Sequence, residues 1–153
     1  MLRWSELYDK CMKCTNCELS KKRNNVVFGE GAPNADIMFI GEAPGFDEDR
    51  QGRPFVGRAG QLLTKALKSL DLERERDYYI CNICKCRPEN NRTPFEDEAN
   101  ACIGYLRNQV ALVKPKIIVC LGATSMKYIL GSQWRITRDR GKWVKRKSCY
   151  IMP

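Results

Sequence analysis

The 153-residue sequence contains no histidine. That absence excludes His-based catalytic triads, histidine zinc ligands and the commonest general base near neutral pH, so any acid–base or metal chemistry has to come from carboxylates, thiols, amides or the backbone. Long apolar runs are missing too. No segment approaches the roughly 18 residues of a membrane span, and the start MLRWSELYDKCMKC lacks the apolar stretch of a secretory signal, which reads as a cytoplasmic protein with no membrane partner. Acidic residues are the scarcer sign, 18 Asp and Glu against 27 Lys and Arg. The resulting formal charge of +9 favours a polyanionic partner such as nucleic acid.

Cysteine, by contrast, is plentiful, with nine residues. A reducing compartment keeps thiols free, and a chain with 43% hydrophobic residues can bury a core without disulfide staples, so ligation of a metal or cluster is the expected use. The length suits one domain spanning 1–153.

Short apolar runs alternate with helical patterns. DIMFI (36–40) reads as a buried strand feeding the glycine-bearing loop GEAPG. Leu62, Leu63, Ala66, Leu67 and Leu70 fall at helical spacing within 57–70. YYICN (78–82) and KIIVCL (116–121) read as further strands. Thr93-Pro94-Phe95-Glu96 carries a capping residue, a proline at the first helical position and a glutamate three after the cap, which predicts a helix from there to about Val113. ATSMKYIL reads as a short helix stopped by Gly131, and KWVKRKSCYIM as a basic hairpin or paired edge strands. The alternation predicts an α/β fold, a mostly parallel central sheet flanked by helices on both faces. Ligands in such sheets bind beyond the carboxyl ends of the strands, where GEAPG and the loop NICKCRP both lie.

Cys11, Cys14 and Cys17 form C-x2-C-x2-C, a local chelate that needs further ligands from far along the chain. Cys86, in the polar octet KCRPENNR, and Cys102, on the inward face of its helix with Ala99 and Leu106, are the candidates. The cations Lys85, Arg87 and Arg92 place that octet at the surface, and cation-rich surroundings favour thiolate over thiol. Cys81, Cys84 and Cys120 read as small buried hydrophobes. By count alone four thiolates fit zinc or a four-iron cluster equally.

Three blocks, GEAPGFDEDRQGRPFVGRAGQLL, CNICKCRPENNRTP and KPKIIVCLGATS, together with CxxC near the start, resemble the family 4 uracil-DNA glycosylases, the iron–sulfur branch of the uracil-excising superfamily. The likeness runs from about Lys13 to the end. It implies a three-layer α/β/α fold and a 4Fe-4S cluster, rather than zinc, held by Cys14, Cys17, Cys86 and Cys102, with Cys11 an extra thiol. It also implies excision of uracil from single- or double-stranded DNA by a flipped-base mechanism. In that scheme Phe55 stacks on the base and the Asn82 amide reads uracil O4 and N3–H, a pairing cytosine refuses. Glu42 is the first choice for the carboxylate that assists departure of the base, with Glu48 or Asp47 second, and backbone N–H groups around Ala43 and Gly45 would hold uracil O2. Arg58, with Arg87 and Arg92, would meet phosphates.

Members of that family continue past the equivalent of YIMP into a histidine-proline-serine segment, whereas this sequence ends at Pro153. The expectation is therefore a monomer lacking a C-terminal segment, with an incomplete pocket, reduced activity and an apolar face left exposed. Two rival readings are a cluster- or zinc-stapled nucleic-acid-binding module without catalysis, and an electron carrier built on the cysteine run.

Overall fold

The computed structural model describes residues 2–153. The elements run α1 (Trp4–Met12), a 3-10 turn (Glu18–Lys21), β1 (Glu30–Gly31), β2 (Ile37–Gly41), α2 (Phe46–Gln51), α3 (Arg58–Ser69), α4 (Arg74–Asp77) and β3 (Tyr78–Asn82). They continue with α5 (Glu96–Val113), β4 (Ile117–Cys120), α6 (Ala123–Leu130), α7 (Ile136–Asp139), β5 (Val144–Lys145) and β6 (Tyr150–Met152). The six strands form one sheet in the order β1-β3-β2-β4-β6-β5. The four central strands are parallel, and the short edge strands β1 and β5 are antiparallel to their neighbours. This is the mostly parallel α/β sheet that the strand–helix alternation predicts.

Side-chain alternation along β2 and β3 sorts the core into two layers. Met38, Ile40, Tyr79 and Cys81 point to the face covered by α1, α5 and α6, where Leu7, Cys11, Ala99, Leu106 and Met126 join them. Phe39, Tyr78 and Ile80 point to the other face, where α3 brings Leu67 and, at the margin, Leu63. The basic hairpin is present as β5–β6, and β6 also extends the sheet by pairing in parallel with β4.

One boundary differs from expectation for a physical reason. Helix α5 begins at Glu96 with Phe95 as its cap, two residues later than the Thr93 cap. The glutamate that bonds back to the cap is Glu98, whose Oε2 accepts the Phe95 N–H at 2.8 Å, and its carboxylate is fixed there by two bonds from Arg92 at 2.9 and 2.8 Å. The capping box forms in the register that gives the buried carboxylate a partner. Helices α1, α2, α4 and α7 and strand β1 are not predicted from the sequence. β1 is only two residues long, and α1 is recognisable mainly by Leu7 and Cys11, four apart and buried.

Candidate functional site

A cleft of about 400 Å³ opens at the carboxyl ends of β2 and β3. It is lined by Glu42, Ala43, Gly45, Asp47, Glu48, Phe55, Arg58, Asn82 and Arg92 among others, so the structure gathers nearly every residue expected in the base pocket. The strand register sets the centre of it. Gly41 pairs with Asn82, and the pairing continues outward through Ile83 N–H to Gly41 carbonyl at 2.9 Å and Cys84 N–H to Glu42 carbonyl at 3.0 Å. A Cβ on Gly41 would come within 2.5 Å of the Phe55 ring and 2.6 Å of Asn82 Oδ1. Glycine there is what lets an aromatic face and an amide meet at one backbone position.

Asn82 is only 2% exposed, yet among the described residues no protein group bonds its side-chain amide. The amide is not sealed off, since among the described residues Ser125 Oγ is the one buried side-chain polar atom without a partner, so the amide opens to the cleft and can meet a ligand there. Phe55 sits in the left-handed region at φ +52°, a rare conformation for an aromatic residue. Two devices hold it. Arg74 donates to the Pro54 carbonyl at 2.6 Å and the Phe55 carbonyl at 3.0 Å, and a Cβ on Gly60 would overlap the Phe55 backbone. Arg74 is in turn braced by Glu30, which also takes both nitrogens offered by Arg53. Burial pushes the Glu30 carboxyl up, but the hydrogen bonds from Arg53 and Arg74 outweigh it and hold the group below its usual range.

The remaining residues divide into those facing the cleft and those already engaged. Glu42 Oε2 accepts the hydroxyl of Thr124, at the start of α6, which fixes the carboxylate and leaves Oε1 available. Ala43 N–H has no backbone acceptor among the described residues. Gly45 is a correction: its N–H donates to Glu48 Oε1 at 3.2 Å and is not free to meet a base. Glu48 is occupied on both oxygens, with the second accepting the Gly57 N–H at 2.7 Å, so it is a brace between two loops rather than an open carboxylate. Asp47 is exposed at the rim. Arg58 stands at the first position of α3, exposed and with no ion pair among the described residues. Arg92 is committed to Glu98, and its guanidinium lies 3.9 Å from the Phe95 ring centre. Arg87 is outside the cleft, bonded to Asn91 Oδ1 at 2.7 Å and stacked on Phe46. Of the three expected phosphate cations, only Arg58 is unengaged.

Behind the strands a second, smaller pocket is lined by Cys11, Cys14, Cys17, Cys86 and Cys102. The end of α1, the loop after it, the loop after β3 and the inner face of α5 supply these thiols. Lys85 N–H donates to Cys102 Sγ at 3.3 Å, and Arg23 donates to Cys86 Sγ at 3.4 Å and to the Cys14 carbonyl at 2.6 Å. Amide and guanidinium donors on sulfur are the partners that thiolate ligands of a cluster take. No three His, Cys, Asp or Glu side chains among the described residues are spaced to share a single metal ion. The cysteine-rich lining is a donor set suited to thiolate ligation of a metal or cluster.

Burial outweighs the nearby donors and cations at three of these thiols. Burial pushes Cys86 up to about 11 despite Arg23, pushes Cys11 up to about 12 and raises Cys17. Cys102 alone is pulled down, to about 7, by a hydrogen bond from the Cys84 thiol. Cys84 is buried as expected but touches the pocket through that bond, a role its sequence position does not reveal. Cys81 and Cys120 are ordinary core residues.

Lys85 overturns the surface reading of KCRPENNR. It is 1% exposed, and its ammonium donates to the Asn82 carbonyl at 2.8 Å and to Gln109 Oε1 at 2.7 Å. Gln109 donates onward to the Phe28 carbonyl at 2.8 Å and the Tyr79 hydroxyl at 3.0 Å.

Residues 28–153 match the family model for the uracil DNA glycosylase superfamily. The chain belongs to that superfamily. The match begins just before β1 and takes in the whole cleft, but not the cysteine run. Proteins named type-4 uracil-DNA glycosylase extend the likeness. One from Sulfurisphaera tokodaii is 48% identical over 97% of this chain and 71% of its own length, a span wide enough to include Cys11, Cys14 and Cys17. Others from Thermotoga maritima and Pyrobaculum aerophilum are 49% and 46% identical over 87% and 95% of the chain, and over 69% and 72% of their own lengths. The uracil-DNA glycosylase fold accounts for the three-layer architecture and for a ligand cleft at the carboxyl ends of parallel strands. Among the described residues, no helix is long and apolar enough to cross a membrane.

Proposed function

We propose that this chain is a DNA repair glycosylase that flips uracil out of DNA, hydrolyses its N-glycosidic bond and leaves an abasic site. The observation that carries this reading is the cleft-facing Asn82 amide, with no protein partner, beside Phe55, the two meeting over Gly41. A flipped base needs a stacking surface and a reader of its Watson–Crick edge, and these residues supply both. The Asn82 NH2 donates to uracil O4 and its carbonyl accepts N3–H. Cytosine presents the reversed pattern and would leave both sides unsatisfied inside the cleft.

Water adds its oxygen to C1′ of the sugar while the C1′–N1 bond breaks, and the bonding pair leaves with uracil N1. Glu42, steadied by Thr124, stabilises the oxocarbenium-like sugar and takes the proton of the attacking water on Oε1. The Ala43 N–H is the donor available for uracil O2 as it gains charge. Arg58, at the start of α3, meets a phosphate beside the flipped nucleotide. Cys14, Cys17, Cys86 and Cys102 hold a 4Fe-4S cluster, and that group supplies a covalent pin between the N-terminal segment and the loop carrying Asn82. The chain acts as one cytoplasmic domain, 1–153, a monomer whose partner is uracil-containing DNA, single- or double-stranded.

A second reading, a nucleic-acid-binding module without the chemistry, is favoured by one fact: among the described residues the cleft lining includes no histidine to meet uracil O2. The electron-carrier reading is disfavoured by the +9 charge. Purified protein incubated with a single-uracil oligonucleotide separates the first two. Free uracil and an alkali-labile site support the glycosylase, whereas binding to an oligonucleotide that stays intact supports the module. Iron and acid-labile sulfide in the same preparation support the cluster, and zinc alone would exclude it.

A further inference from the structure

Lys85 carries its charge into the core with no carboxylate to meet it. It appears in no ion pair among the described residues, and its ammonium donates to two neutral acceptors, the Asn82 carbonyl at 2.8 Å and Gln109 Oε1 at 2.7 Å. Neutral acceptors do not repay the desolvation of a buried cation, so a compensating negative charge belongs nearby. Lys85 lines the cysteine pocket, its own N–H bonds Cys102 Sγ, and the next residue is Cys86. A four-iron core with four thiolates carries a net charge of about −2, all of it in that pocket.

We propose that Lys85 is the buried counter-charge of the cluster and makes the pose of Asn82 depend on the cluster being present. The inference rests on the cluster reading above. When the pocket holds its negative charge, the ammonium is balanced and stays bonded to the Asn82 carbonyl, which fixes the strand end from which the base-reading amide projects. When the pocket is empty, the same ammonium is an uncompensated buried cation, and the loop of residues 82–86 loosens to hydrate it.

The test uses the full chain as wild type, Lys85→Met and Lys85→Arg, each iron-loaded and after chelation. Counter-charge pairing predicts a change of sign. Lys85→Met melts lower than wild type when loaded but higher when stripped, because removing a charge hurts only where a partner charge exists. The midpoint potential of the loaded Lys85→Met protein shifts to more negative values while that of Lys85→Arg stays near wild type. Stripping the wild type raises KM for a uracil oligonucleotide, and loaded Lys85→Met shows that increase already. Should Lys85→Met fail to fold, Gln109→Glu sets a carboxylate on the retained ammonium, and the same negative shift in potential is expected. A melting change of the same sign in both states, or an unmoved potential in both charge-altering variants, overturns the proposal. A wild type without iron sinks the cluster reading itself, whereas an iron-loaded wild type with an unmoved potential in the variants sinks only the role of Lys85.

Discussion

Arg74 donates to the backbone carbonyl of Phe55 at 3.0 Å, and so anchors from α4 a residue whose φ of +52° the chain would not otherwise keep. A non-glycine residue in that region costs on the order of 1–3 kcal/mol, and such strain persists where the surroundings over-determine it. Arg74→Met removes both carbonyl bonds and leaves Glu30 half-buried with only Arg53. The expected loss is about 2 kcal/mol of stability by denaturant unfolding, with uracil release falling about tenfold or more as Phe55 relaxes to an ordinary conformation. Equal activity at full occupancy of the folded state would detach Arg74 from the stacking residue.

Glu30 gives this brace a pH signature. Its folded-state pKa lies below the usual carboxylate value of 4.5, so its stabilisation is complete above that value and is lost as pH falls through the depressed pKa. Stability measured from pH 6 downward should therefore decline more steeply in wild type than in Glu30→Gln, with the curves converging in acid. Parallel curves across that range would mean that the Arg74–Glu30–Arg53 group contributes nothing.

Glu48 is a brace rather than an acid. Its two oxygens hold the N–H groups of Gly45 and Gly57, one on each lip of the cleft. Glu48→Ala should cost about 2 kcal/mol, the range for charge-assisted bonds that are partly solvated. It should also raise KM without changing the pH dependence of kcat. Glu42→Gln is expected to behave the opposite way, with kcat down about a hundredfold and KM little changed. Thr124→Val, which frees the Glu42 carboxylate to turn, should fall between the two.

The cysteine pocket makes a selective prediction. Replacing Cys14, Cys17, Cys86 or Cys102 by serine should abolish the brown chromophore and reduce iron well below the about four per chain of a complete cluster. Cys11→Ser, although Cys11 lines the same pocket, should keep both. A chromophore lost with Cys11 but retained without Cys14 would reassign the ligands.

Much of this arrangement is readable in the residue order because it depends on local pattern. Alternating strands and helices imply the parallel sheet, and GEAPG and NICKCRP, each following a strand, mark its functional end. What escapes is set by partners far away in sequence. Lys85 looks like a surface cation until Gln109, 24 residues on, offers it an acceptor. Arg92 looks free for phosphate until Glu98, six residues on, takes both its nitrogens, and the same carboxylate moves the start of α5 from Thr93 to Phe95. Gly45 shows the same effect at shorter range, since an N–H that seems available for a base is taken by the Glu48 carboxylate three residues later. Phe55 and Asn82 are legible as types, but their convergence depends on Gly41 having no side chain between them.

The most direct measurement is single-turnover release of uracil from a fluorescent single-uracil oligonucleotide by the iron-loaded chain, wild type beside Asn82→Ala, with a cytosine-containing oligonucleotide as control. The account predicts alkali-labile cleavage at uracil and none at cytosine for the wild type, and a loss of at least a hundredfold for Asn82→Ala with its fold and iron intact. An intact uracil strand under wild-type protein that binds it, or an Asn82→Ala variant that releases uracil as fast as wild type, would contradict it.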